Sequence, residues 1–360
     1  MRQERGRPRP RLEQAALADE GARAPVTIRA RLQADYDTIM KIGLYLAILS
    51  SLKFEEALDY AASLGLKTVE LGAGAYGASP HCDAHALLES DQKRRELLQA
   101  VRSRGLEISA LNAAGNPLHP NRQIAAAHDA DFRKCIRLAR TLGVQVVINF
   151  SGCPGGAPGD QQPNWVTCPW PPDYLNILKY QWEQVVIPYW REVAQFAEQH
   201  GVKRIALEMH PGFVVYNPET LLKLRAAAGP AIGANFDPSH LFWQGIDPCA
   251  ALRALRGAVW HVHAKDTRVQ EWNSRVNGVL DTKHYSDELN RAWLFRAVGY
   301  GNPRQFWCDF VSTLRMIGYD GALSVEHEDS LMSPHEGLEK AIRFLQTIVF
   351  HEPQGQVTWA

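Results

Sequence analysis

The sequence predicts an α/β protein of the (β/α)8-barrel class, and three observations carry that prediction. A helix, then a glycine, then a short apolar run recurs seven times along the chain. An opening strand at Lys41–Tyr45 brings the count to eight β/α units, the number that closes a parallel barrel. No G-x-G-x-x-G opens the first helix, as an open, doubly wound nucleotide fold would have it.

The elements follow in order. After "MKIGLY", Phe54, Ala57, Leu58, Ala61 and Leu64 fall on one helical face. The repeated phrase then appears as "AASLGLKTVEL" (Ala61–Leu71), "VRSRGLEISAL" (Val101–Leu111), "ARTLGVQVVIN" (Ala139–Asn149) and "AEQHGVKRIALE" (Ala197–Glu208). Looser copies are "RAAAGPAIGANFD" (Arg225–Asp237), "ALRGAVWHVHAKD" (Ala254–Asp266) and "LRMIGYDGALSVE" (Leu314–Glu326). The glycine follows each helix because the residue past a helix end often turns left-handed, a conformation that costs glycine nothing. The short aliphatic runs suit strands covered on both faces. Asn217-Pro218 and Asp247-Pro248 read as N-cap plus first-turn proline, and Ser333 with Glu336 as a capping box.

Residues 1–39 differ from the rest. They are arginine-rich, with Pro8 and Pro10, and are expected to be a disordered extension, at most weakly helical near residues 11–22. Met40 is the expected native start, which makes the tail an extension or an over-long translation. The barrel is expected over 40–350, with a short tail at 351–360. Across 360 residues, 46% are hydrophobic and 22% charged with formal net charge +0, so nothing advertises a nucleic-acid or anionic-membrane partner. No apolar run approaches the roughly 20 residues of a membrane span. Six cysteines without a C-x-x-C pair, and no secretory signal ahead of them, fit reduced thiols in the cytoplasm. A homo-oligomer is left open.

In a (β/α)8 barrel the chemistry sits at the C-terminal ends of the strands. Read there, the strands deliver Glu70, then Asn112, then "NFSGCPGG", then Glu208 and His210, then Asp237 and His240, then His261 and His263, then Glu326. Three crowded carboxylates repel one another unless a cation joins them. Three hard oxygens and one imidazole suit Mn²⁺ or Mg²⁺, with Co²⁺ or Zn²⁺ as alternatives. The expected metal set is therefore Glu208, Asp237, His263 and Glu326. His261 shares a strand face with His263 but lies deeper. Glu70 and Asn112 stay open between substrate contact and a structural role.

The set "ALEMHPG", "NFDPSH", "HVHAKD" and "GALSVEHED", in that order, resembles the xylose isomerase-like barrel superfamily of sugar phosphate isomerases and epimerases, over about residues 41–350. The resemblance implies one divalent metal, usually Mn²⁺, on Glu208, Asp237, His263 and Glu326, with His240 touching a small sugar substrate. It implies that Glu208 and Glu326 act as base and acid on the carbon beside a metal-held carbonyl, through an enediolate. The epimerases carry an arginine six residues after the metal histidine; here that position is Val269, with Arg268 beside it. Long segments at Thr267–Pro303 and Ser151–Pro188 hold Trp272 and Trp293, and Trp165, Trp170 and Trp182, and suit either ring stacking or lid packing. Trp165 and Arg268 are expected substrate contacts, and the larger lids imply a substrate larger than a free ketohexose.

Three other functions compete. The same superfamily holds inosose dehydratase-like lyases and enzymes that eliminate an aglycone from 3-oxo-glycosides; there His210 would be the base. An abasic-site endonuclease would need histidines where Glu70 and Asn112 stand. A non-catalytic sugar sensor would not need a complete metal set. No glycine-rich helix start supports a phosphorylated substrate.

Overall fold

Eight short strands close into a parallel barrel in the order β1-β10-β7-β6-β5-β4-β3-β2. The computed structural model describes residues 40–355 and 357–359; the expectations for residues 1–39 lie outside the described residues. The barrel strands are β1 (Lys41–Tyr45), β2 (Thr68–Gly72), β3 (Glu107–Asn112), β4 (Val146–Phe150), β5 (Arg204–Glu208), β6 (Ile232–Phe236), β7 (Val259–Ala264) and β10 (Ala322–Val325). Every residue of β2, β6 and β10 is buried, as expected of strands with the barrel interior on one side and helices on the other.

The recurring glycine does what its position predicts. Gly143 ends the 21-residue helix Arg122–Leu142 at φ 75°, a left-handed turn that a side chain would strain. Gly65, Gly105, Gly201, Gly229, Gly257 and Gly318 also have positive φ. Asn217 and Asp247 cap their helices through Thr220 N and Ala250 N. At Ser333 only half of the capping box forms. Its hydroxyl accepts from Glu336 N, while the Glu336 carboxylate turns to Lys340 Nζ, 2.6 Å away.

The two long segments are more ordered than their composition implied. Helix Asp173–Tyr180 passes through a wide π turn, Gln181–Val186, into helix Ile187–Gln199. Pro188, which lacks an N–H, is therefore built into a helix and does not end a loop. The second segment contains an antiparallel hairpin, β8 (Asp266–Val269) paired with β9 (Trp293–Arg296), and helix Glu271–Asn277. Buried Asp266 ties that hairpin to the body: Oδ2 accepts from the amides of Gly299, Gly301 and Asn302 and from Trp307 Nε1.

The main apolar core lies between strands and helices. Inside the barrel, Ala110, Val146, Ile148 and Ala206 form a small separate plug. Elsewhere the interior is polar: Glu70, Asn112, Asn235, His261, His263 and Ser324 are all buried. All six cysteines are free, and no helix of the described residues is long and apolar enough to cross a membrane.

Candidate metal centre

Four consecutive barrel strands, β5, β6, β7 and β10, bring one donor each to the same point. One ligand atom from each of Glu208, Asp237, His263 and Glu326 lies within 4.8 Å of the others. Donors at that spacing can be drawn onto a single divalent ion, whose bonds to oxygen are about 2.0–2.2 Å. Asp237 is fully buried; its Oδ1 accepts from Ser239 N at 2.8 Å, while Oδ2 makes no hydrogen bond and faces Lys265 Nζ at 3.1 Å and His240 Nε2 at 3.4 Å. A buried carboxylate oxygen left without a hydrogen bond fits a metal ligand.

The two nitrogens of His263 are divided. Nδ1 faces the cluster, 3.1 Å from Glu326 Oε2 and 3.4 Å from Glu208 Oε2. Nε2 faces down to Glu70 Oε2 at 3.0 Å. Burial works against the charged imidazole, yet Glu70 and Glu326 hold its pKa well above the ordinary histidine range. Burial also works against charge on Glu208, but hydrogen bonds from His240 and His263 keep that carboxyl well below its usual range. Glu326 is brought down to about 2, against its burial, by Lys265 and His263.

A cavity of about 330 Å³ opens over this cluster, with Tyr45, Asn112, Phe150, His210, Lys265 and Glu328 among its walls. His210 Nδ1 lies 2.5 Å from the Pro211 carbonyl, which can only accept, so the ring proton sits on Nδ1 and Nε2 keeps its lone pair. Burial, with the His240 ring 4.1 Å away at a tilt of 52°, pushes the His210 pKa to about 3, so the ring is neutral. His240 is buried among the donors, its Nε2 3.0 Å from Glu208 Oε1. His261 lies deeper, on Asn235 Oδ1 at 3.1 Å.

Three expected substrate contacts lie elsewhere. Glu70 sits under His263, fully buried, accepting from Asn112 Nδ2 and Ser324 Oγ, both at 2.8 Å. Arg268 points along the hairpin and donates to Gly301 O at 3.3 Å. Trp165 lines a different cavity, with Trp182, Tyr216 and Lys223. The cause is Gln181, whose buried amide donates to the carbonyls of Pro154, Gly155 and Asn164 and pins that loop against the helix.

Sequence reasoning missed Lys265 and Tyr45. Lys265 is buried, with Nζ 2.8 Å from both Glu326 Oε2 and Glu328 Oε2. Burial opposes its charge, but Asp237, Glu326 and Glu328 raise its pKa well above the usual lysine range. The signal was available: His261, His263 and Lys265 alternate, and so share a face. Tyr45 ends β1 and stacks on the His263 ring at 6.0 Å.

Comparison with known proteins places this geometry. The xylose isomerase-like TIM barrel family matches residues 58–348. YfiH of Bacillus subtilis (strain 168), described as uncharacterized, is 45% identical over 312 residues, covering 86% of this chain and 99% of its own. An inosose dehydratase of Mesomycoplasma hyopneumoniae (strain J) is 24% identical over 61% of this chain and 69% of its own. Among solved structures, the probable 3-DHS dehydratase AsbF of Bacillus anthracis aligns at TM-score 0.59 and 18% identity, covering 85% of this chain and 99% of its own. A D-tagatose 3-epimerase-like protein aligns at TM-score 0.57 and 20% identity, covering 86% and 98%. These two likenesses show the shared fold.

Proposed function

The chain belongs to the xylose isomerase-like TIM barrel family, and from that premise we propose that it is a divalent-metal-dependent isomerase or epimerase that removes the proton beside the carbonyl of a sugar. The observation that carries this reading is the convergence of Glu208, Asp237, His263 and Glu326 from four adjacent strands. His263 would ligate through Nδ1. A cation bound there supplies Lewis-acid polarisation of a carbonyl, most readily Mn²⁺ or Mg²⁺ given three carboxylates and one imidazole.

The chain's own residues supply the rest. Glu326 is ionised, and its partners Lys265 Nζ and His263 Nδ1 both sit on Oε2, leaving Oε1 to take a proton. Lys265, on the cavity wall, offers an ammonium to a developing oxyanion. Tyr45 and Phe150 wall the site and limit water around the reacting carbon.

A second reading, elimination from a keto-sugar, is favoured by one asymmetry. Both oxygens of Glu208 already have donors, His240 Nε2 on Oε1 and Asn235 Nδ2 on Oε2, so the open bases are Glu326 Oε1 and the neutral His210 Nε2. Elimination needs one base, whereas epimerisation needs one on each face. The inosose dehydratase relative agrees with this reading. Metal analysis and a panel of ketoses, inososes and 3-oxo-glycosides, run in D₂O, separate the two. Deuterium in a rearranged sugar supports the isomerase, an unsaturated product with a released group supports the lyase, and no exchange with any of them removes both.

A further inference from the structure

The cavity over the proposed metal site has two unlike halves. Its walls after β5, β7 and β10 include Glu208, Lys265, Glu326 and Glu328. Those after β1, β2 and β3 carry no charged group and include Ala47, Ile48, Tyr76 and Ala114. Tyr76 is the odd member of this uncharged half. It is 62% exposed, so its ring stands at the mouth, and the chemistry above does not use it.

The backbone that presents this ring is strained and tightly held. Tyr76 sits in a single 3-10 turn, Ala75–Gly77, shortly after β2. Ala75 has φ 51°, and among the described residues no other residue except glycine has positive φ. A side chain costs energy in that region, so the conformation persists only where its surroundings impose it. Here they act from several sides. Ala75 N donates to Asp131 Oδ2 at 3.1 Å, and Tyr76 N donates to Ala114 O at 2.8 Å. A Cβ on Gly115 would lie 2.7 Å from Ala75 Cβ, and one on Gly77 would lie 2.8 Å from Tyr45 Oη, so neither position admits a larger residue without movement. The Tyr76 ring meets the His128 ring edge-on at 4.7 Å and 74°. His128 is itself fixed, its Nδ1 accepting from Asn116 N at 2.9 Å. Backbone strain collects at ligand clamps, and what this strained turn displays is an aromatic ring left open at the cavity mouth.

Resting on the sugar reading proposed above for what occupies the cavity, we propose that Tyr76 is a specificity-determining residue. Its ring, aimed by the strained turn at Ala75, packs on the C–H face of the sugar at the end away from the metal, so the site selects a chain long enough to reach the mouth. The test is calorimetric titration of the full chain loaded with Mn²⁺, using D-fructose and dihydroxyacetone. Both offer a carbonyl and a neighbouring hydroxyl to the metal, but only the hexose extends to the mouth. Tyr76→Ala should weaken D-fructose binding about fivefold, the order of one aromatic contact, and leave dihydroxyacetone unchanged. Tyr76→Phe should keep the native affinity for both. Ala75→Gly, which keeps the ring but releases the backbone that aims it, should weaken D-fructose alone. Circular dichroism checks that each variant folds. Equal weakening of both ketoses by Tyr76→Ala, unchanged D-fructose affinity in Tyr76→Ala or Ala75→Gly, or native binding of dihydroxyacetone alone overturns the assignment and leaves the sugar reading standing. Failure of both ketoses to bind the native, Mn²⁺-loaded chain overturns the sugar reading and the assignment with it.

Discussion

Replacing Glu70 with glutamine should weaken metal binding at the proposed set of Glu208, Asp237, His263 and Glu326, to which Glu70 does not belong. The native carboxylate receives three donors: Asn112 Nδ2 on Oε1, and Ser324 Oγ and His263 Nε2 on Oε2. An amide can accept at only one end. If its NH₂ faces Asn112, two donors meet, and Asn112 cannot turn over freely because its Oδ1 accepts from Ala114 N at 2.8 Å. The amide therefore settles with NH₂ toward His263 and Ser324, where the hydroxyl can rotate to accept. His263 Nε2 then becomes an acceptor, and the ring proton moves to Nδ1, the nitrogen that faces Glu208 and Glu326. Ligation needs that lone pair. Loss of a carboxylate behind a ligating histidine typically costs 10–100-fold in affinity, about 1.4–2.8 kcal/mol. The assay is competition for Mn²⁺ against a chelating dye, with far-UV circular dichroism to show that the barrel is intact. A Glu70→Gln dissociation constant within about twofold of the native one would refute the assignment of Nδ1 as ligand and Glu70 as its support.

Other outcomes follow from the same geometry. Glu326→Gln should lower solvent-deuterium exchange by at least about 100-fold while the fold persists, and full exchange would sink its role as base. Lys265→Met leaves Asp237 Oδ2 and Glu326 Oε2 without their ammonium partner, and breaking a buried pair costs about 3–5 kcal/mol. Its melting temperature in EDTA should drop, and saturating Mn²⁺ should recover much of the loss; a drop that Mn²⁺ leaves untouched argues against a shared cation site. Asp281, lowered to about 2 despite its burial by bonds from Ala292 N and from Lys283, contributes stability that is present above its ordinary value of 3.8 and is lost as pH falls toward 2. Trp293 fluorescence should therefore change over that window in the native protein, and Asp281→Asn should show the changed signal already at pH 7.

The parts of the site that the sequence revealed share one property. Glu208 ends its strand, Asp237 and Glu326 directly follow theirs, and His263 is the last residue but one of β7, each behind a helix–glycine phrase, so the local pattern places them near the barrel rim. Lys265 stands on the same rim but is a residue type that normally reaches water. Only the arrival of Asp237, Glu326 and Glu328 from other strands makes its burial tolerable, and that convergence has no local signature. The loops fail for a related reason. Trp165 is drawn aside by a single amide, Gln181, in a helix that composition assigned to a loop, and Arg268 is turned along a hairpin whose second strand starts 24 residues after its first ends. Aromatic content announced a lid without saying over which cavity it lies.

Glu70 shows how packing decides a role that position cannot. From the sequence it reads as a strand end equivalent to Glu208, but β2 runs on to Gly72 and Glu70 lies at its middle, while Glu208 is the last residue of β5. The structure separates them by what lies above. Glu208 faces the cavity, while Glu70 lies beneath a histidine ring and is held by Asn112 and Ser324. Burying a carboxylate in a barrel interior is costly unless its charge is answered, and the ring above Glu70 answers it through Nε2. The same bond leaves Nδ1 directed at the three carboxylates of the rim. A buried charge that looks like a liability in the core thus fixes which nitrogen the rim receives, and it ties the polar interior to the proposed metal site above it.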